Sequence, residues 1–173
     1  MNVELADYLI GLRKYIAEDG KVLDQYLLTL NYPIDFRLTL VTPDDMDQNL
    51  MIKIWESSKK SFKMTLHHQD DNTQNGLLRV DYNSRHKNPE TITHTVPPQF
   101  HPYAGIYLDD FAGHIHYVVD GYKPLVWAIP LEVDDFPVKA LHQREDYVHT
   151  LAAFFQKINL KTKVTCSTQT TFL

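Results

Sequence analysis

Two histidines one residue apart, His114 and His116, sit in the alternating run His114-Ile115-His116-Tyr117. In an extended chain successive side chains point to opposite faces, so both imidazoles leave one face with backbone origins roughly 7 Å apart. Two ring nitrogens at that spacing can reach one metal ion, or can pass a proton beside an anionic substrate. A metal would need further ligands, and Asp81, His86, His94, His101 and Asp120 are of suitable type. A solvated strand face explains the same alternation without a ligand, and both readings stand at this level.

A second constellation lies upstream. Arg79 and Asp81 share one face of a strand by the same period, and Arg85, His86 and Asn88 follow in the adjoining loop. A guanidinium fork holds a carboxylate or a phosphate, and an imidazole beside it moves a proton. Together these groups suit a metal-free nuclease or phosphotransfer site. His114 or His116 would be the general base and His86 the general acid, with Arg79 stabilising the phosphorane charge and Asp81 orienting an imidazole. The plainer alternative is an Arg/Asp surface pair bracing a loop. The chain carries no Gly-rich phosphate loop and no G-x-S-x-G elbow, and its one cysteine, Cys166, excludes an intramolecular disulfide and paired-cysteine zinc patterns.

The elements that must position these residues follow from the period of the apolar positions. Leu5, Tyr8, Leu9, Leu12, Tyr15 and Ile16 recur at helical spacing, with Gly20 where a left-handed C-cap belongs. Lys21 to Leu30 fits a short helix or an irregular lead-in. Beyond Pro33 the period becomes two, predicting strands over Ile34 to Leu40, Leu50 to Glu56, Phe62 to His67 and Leu77 to Tyr82. Asn83 to Gly105 is irregular and proline-rich, with room for one short edge strand at Thr91 to Val96. Ile106 to Leu108, His114 to Val119 and Leu125 to Ile129 read as strands, the last two joined by a turn at Asp120-Gly121. Ala140 to Ile158 carries a helical apolar face, with His142 and His149 on a solvated flank. The expected class is α+β, an antiparallel sheet of about 6–8 short strands flanked by an N-terminal and a C-terminal helix. Residues 1–163 form one domain, and for 164–173 a flexible tail is preferred over one further strand.

In order along the chain, Arg79-Val80-Asp81, His86-Lys87-Asn88-Pro89, His114-Ile115-His116 and Trp127-Ala128-Ile129-Pro130-Leu131 resemble an uncharacterised bacterial and phage family of domains of unknown function. Its pattern is R-x-D, H-x-N-P, H-x-H and W-A-x-P-L. The likeness spans about residues 5 to 160, and this chain carries a longer proline-rich segment between Pro89 and His114. The resemblance implies a prokaryotic cytosolic accessory protein, often borne on prophages or other mobile elements. It singles out Arg79, Asp81, His86, Asn88, His114 and His116.

The chain has 173 residues and a formal net charge of -5, which works against non-specific attraction to nucleic acid. Acidity suits a protein partner, and the first expectation is a non-catalytic protein-binding module related to host or phage defence, recognising its partner through the polar sheet face and the 83–105 loop. The alternative is the His-dependent nuclease or phosphoesterase described above, toxin-like in character. No cofactor is required by either, no run is long enough for a membrane span, and the expected location is the cytoplasm.

Overall fold

In the computed structural model, which describes residues 1–108 and 113–168, the chain opens with helix α1 (Val3–Gly11). Asn2 caps it, its side chain accepting from the Leu5 amide at 2.9 Å. Strands β1 (Tyr15–Glu18), β2 (Lys21–Leu23), β3 (Gln25–Leu30), β4 (Asp35–Val41), β5 (Asn49–Glu56), β6 (Met64–Asp70) and β7 (Asn75–Tyr82) follow. Then come β8 (His86–Lys87), a 3-10 turn (Pro98–Tyr103), β9 (Tyr107–Leu108), β10 (His114–Tyr117), β11 (Trp127–Pro130), helix α2 (Glu145–Lys157) and β12 (Lys163–Thr168).

Eight strands make one antiparallel sheet in the order β11-β10-β7-β6-β5-β4-β1-β2, so the class is α+β as the periods predict. One sheet face is apolar: Ile52, Ile54, Leu66, Val80, Ile115 and Ile129 are buried in a single core that also takes Leu9 of α1 and Leu151 and Phe154 of α2. Burying each such side chain contributes about 1.5–3 kcal/mol.

Five expectations are corrected. The opening helix stops at Gly11 rather than running to Ile16, because Tyr15 and Ile16 satisfy an alternating pattern as well as a helical one and pair with β4. Gly20 is therefore no helix cap; with Asp19 it forms the β1–β2 hairpin turn, at φ 49° and 73°, which is the Asp-Gly type I′ signal. Lys21 to Leu30 is neither helix nor irregular lead-in but two strands, β2 and β3. For the last residues the strand holds instead of the tail: β12 pairs in parallel with β3 from Lys163↔Gln25 to Thr168↔Leu30, while 169–173 lie outside the described residues. Thr91 to Val96 forms no strand among the described residues.

The second sheet face positions the polar residues. Across β4, β5, β6, β7 and β10, Arg37, Lys53, His67, Arg79 and His116 stand opposite one another in register. The neighbouring row is Asp35, Trp55, Thr65, Asp81 and His114. Toward β4 both rows are open to solvent, whereas at β10 they are buried. No helix among the described residues is long and apolar enough to cross a membrane.

Candidate functional site

Where the open part of this face meets its covered part, Arg79, Asp81, His86, His114 and His116 come together. Pairing of β7 with β10 sets Asp81 opposite His114 and Arg79 opposite His116. The His86 ring lies 5.7 Å from His114 and 4.5 Å from His116, and the latter two are 4.9 Å apart, measured between ring centroids. His114 and His116 are almost wholly buried, at 1% and 0% exposure, so the solvated-face explanation of the H-x-H pair fails. The cover is the chain after β7, which folds back over β10 and the edge strand β11.

Asn88 fixes that cover. Its Oδ1 accepts from the Ala128 amide and its Nδ2 donates to the Ala128 carbonyl, both at 2.8 Å. The side-chain amide thus takes the place of a neighbouring strand along the edge of β11, and Nδ2 also donates to the Tyr103 carbonyl at 3.2 Å. With its amide spent on backbone, Asn88 is a positioning residue.

Consecutive carbonyls before β11 face the rings of His116 and His86. His116 Nδ1 lies 2.8 Å from the Leu125 carbonyl oxygen and Nε2 lies 3.0 Å from Asp81 Oδ2; both oxygens only accept, so the neutral ring has one N–H for two acceptors. His86 Nε2 donates to the Val126 carbonyl at 3.0 Å and to Asn88 Oδ1 at 3.2 Å. Its Nδ1 is therefore the basic nitrogen in the neutral ring. Leu125 holds a φ of 60° to present its carbonyl, a left-handed conformation that is uncommon for a residue with a Cβ.

Asp81 Oδ2 is the hub. It lies 2.9 Å from Arg79 Nε, 3.0 Å from His116 Nε2 and 3.6 Å from His114 Nε2, while Oδ1 accepts from the Thr65 hydroxyl at 2.5 Å. Arg79 Nη2 in turn lies 2.9 Å from His116 Nε2 and 3.2 Å from Nδ1, against the face of the ring. The guanidinium therefore spans the Asp81 carboxylate and the His116 ring. Burial works to raise the Asp81 carboxyl, but His116, the Arg79 charge and the Thr65 hydroxyl outweigh it and hold the group well below the usual carboxylate range. Burial pushes His116 down to about 4 and His114 down to about 3, and lowers His86 and His67 as well. At neutral pH the site holds one carboxylate, one guanidinium and neutral imidazoles.

Both ring nitrogens of His114 are buried and unpartnered, which is costly for a polar group unless something binds there. Asp81, His114 and His116 each offer one ligand atom, all within 4.8 Å of one another. The other residues of metal-ligating type do not join them. The Asp120 carboxylate accepts from the Val3 amide at the start of α1, His101 donates to the Val96 carbonyl, and His94 is exposed. Thr65 and His67 were not singled out by sequence, although Thr65 and His67 alternate on β6 as Arg79 and Asp81 do on β7. The carbonyls of Leu125 and Val126 have no side-chain signature at all.

Access is from the Arg79 side. Its side chain keeps 30% exposure against 7% for Asp81, and His67 and His86 are half-buried. Two surface clefts of about 420 Å³ lie elsewhere, one beside Asp135 and Lys157, the other between Tyr32 and Arg144, and the residues lining them include none of the cluster.

The chain belongs to a family of unknown function, DUF6978, whose family model matches residues 1–160. No curated protein and no solved structure matches it.

Proposed function

We propose that this member of the DUF6978 family is a histidine-dependent hydrolase acting on a phosphoester, with its site at the boundary between the open and covered parts of the polar sheet face. The observation that carries the reading is the convergence of a fixed cation, an ionised carboxylate and three neutral imidazoles in one cluster built from β7, β8 and β10. The open row of Lys53, His67 and Arg79 leads into it and gives an anion a favourable approach on an otherwise acidic chain.

Burial divides the roles. Arg79 and His86 stand on the accessible side, so Arg79 contacts the phosphoryl oxygens and His86, through Nδ1, takes the proton from the attacking water. That reverses the acid role expected for His86 from sequence, because its Nε2 proton is already committed to the Val126 carbonyl. Asp81, His114 and His116 lie behind and orient the guanidinium. Hydrolysis breaks one P–O bond and forms another with water oxygen; the leaving group receives a proton from solvent.

Turnover of a panel of model phosphomonoesters and phosphodiesters, single-stranded RNA and DNA tests the reading. One class is expected to be hydrolysed, with Arg79→Ala and His86→Ala each lowering kcat/KM by about 10²-fold or more while the melting curve stays cooperative. No turnover of any member by folded protein, or unchanged rates in both variants, contradicts it.

A second reading, the protein-binding module, is favoured by one feature: Ile92, Ile106 and Tyr107 of the covering segment are exposed apolar residues. Arg85 stacks on Tyr107 at 4.0 Å from its ring centroid. A pull-down from the native host that recovers no partner dependent on Ile106 and Tyr107 counts against it.

A further inference from the structure

We infer that Asp81, His114 and His116 form a binding site for one divalent first-row transition-metal ion, with Arg79 standing in the place of the cation when the ion is absent. This inference deepens the hydrolase reading by naming the electrophile of the same site, and it rests on that reading only for its catalytic consequence.

Three observations point to a cation site. Asp81 Oδ2 lies 3.0 Å from His116 Nε2 and 3.6 Å from His114 Nε2. Ligands bound at roughly 2.0–2.1 Å around a tetrahedral ion stand about 3.3 Å apart, so these separations bracket the value a shared ion requires. With a metal on Nε2, the nitrogen turned to Oδ2, His116 Nδ1 donates to the Leu125 carbonyl 2.8 Å away. This is the outer hydrogen bond by which metal-bound imidazoles are ordinarily oriented. Finally, His114 is buried with neither nitrogen partnered, and Nε2 is turned to the same oxygen. A structural histidine in a core would spend at least one nitrogen on a carbonyl, as His68 does on that of Met51 at 3.0 Å.

Arg79 is the competing cation. Its Nε lies 2.9 Å from Oδ2 and its Nη2 rests against the His116 ring, while its side chain keeps 30% exposure. Rotation outward exposes the three ligand atoms without moving a strand and carries the charge toward the open row, where it meets the substrate's anion. Two imidazoles and one carboxylate suit zinc, iron(II), or a neighbouring ion rather than magnesium or calcium, and three protein ligands leave a coordination position for water.

The test uses the full chain, stripped of metal with a chelator and titrated with Zn²⁺ and with Co²⁺ as a spectroscopic probe. One equivalent should bind per chain. The Co²⁺ form should show visible ligand-field bands, and X-ray absorption should count two imidazoles and no sulfur. His114→Ala and His116→Ala are expected to lose affinity at least about 100-fold, whereas Arg79→Ala should bind as tightly as the parent or more so, and His142→Ala, on the exposed flank, should bind unchanged. Where a ligand variant fails to fold, the imidazole count on the parent chain decides. Absence of stoichiometric binding by the parent, a different ligand count, or loss of binding in Arg79→Ala overturns the inference. The hydrolase reading fails separately: phosphoesterase activity that persists with chelator present would leave it standing without the metal, and a metal-loaded chain inert toward every phosphoester would do the reverse.

Discussion

Asn88 shows at the scale of one residue why a polar side chain can be essential to a site without touching what the site acts on. Its amide gives β11 both hydrogen bonds that an adjacent strand would supply at Ala128, in a position only 2% exposed. Asn88→Ala leaves a buried N–H and a buried C=O without partners, at a cost of about 2–4 kcal/mol. Chemical denaturation should register that loss. Hydrogen exchange at the Ala128 amide should accelerate more than exchange in β4 or β5, which lie outside the clamp. The H-x-N-P run drew attention to Asn88 by its place in a motif, and sequence had no means of showing that the partner would be a backbone group at position 128. The same limit hid the Leu125 and Val126 carbonyls that meet the rings of His116 and His86. Residue types announce which groups can donate or accept, but the backbone partner of a buried imidazole is settled by register, which no local pattern encodes.

Strand β6 puts two histidines to opposite uses because its side chains alternate. His67 faces the polar row beside Arg79, while His68 faces the apolar core at 0% exposure. Burial, with the Lys14 charge adding to it, pushes the His68 imidazole down to about 3 from a usual value of 6.5. Between those values the unfolded chain binds a proton at this residue and the folded chain does not, so stability falls as pH drops through that window and is unaffected above it. From pH 7 to pH 5 this one group withdraws about 2 kcal/mol. Denaturation midpoints measured at those two pH values should therefore lie closer together in His68→Met than in the parent chain; equal spacing in the two would refute the assignment. At the same scale, the strands from β4 to β7 were legible from alternation alone, since each has one apolar and one polar side. The strands β1 to β3 were not. Tyr15 and Ile16 prolong the three- and four-residue spacing of α1, and only the long-range pairing with β4 and β12 decides between helix and strand.

For the whole molecule, the sheet order brings together segments far apart in sequence: β10 pairs beside β7, and the chain after β7 folds over the face that alternation alone would leave in water. Sequence parity was enough to place Arg79 with Asp81, and His114 with His116. It could not show that the two pairs meet, nor that Thr65 would complete them, since both depend on how three strands are aligned. The fold also explains why an acidic chain presents a cationic row: in-register pairing lines up Arg37, Lys53, His67 and Arg79 although they are dispersed over four strands. Arg37 is neutralised by Asp71 at 2.8 Å, which leaves Lys53 and Arg79 as the cations nearest the cluster.

The central claim is that this cluster is a working site open to anions through Arg79 and His86, and nitrogen-15 NMR of the histidine rings tests it most directly. In the free chain His86 should appear as the Nε2-protonated neutral tautomer. Addition of a non-hydrolysable phosphonate ester should shift the His86 ring and the Arg79 Nε resonance, saturably, and the His86 shift should vanish in Arg79→Ala. Ring signals that ignore the phosphonate at saturating concentration, or the opposite His86 tautomer, would contradict the account.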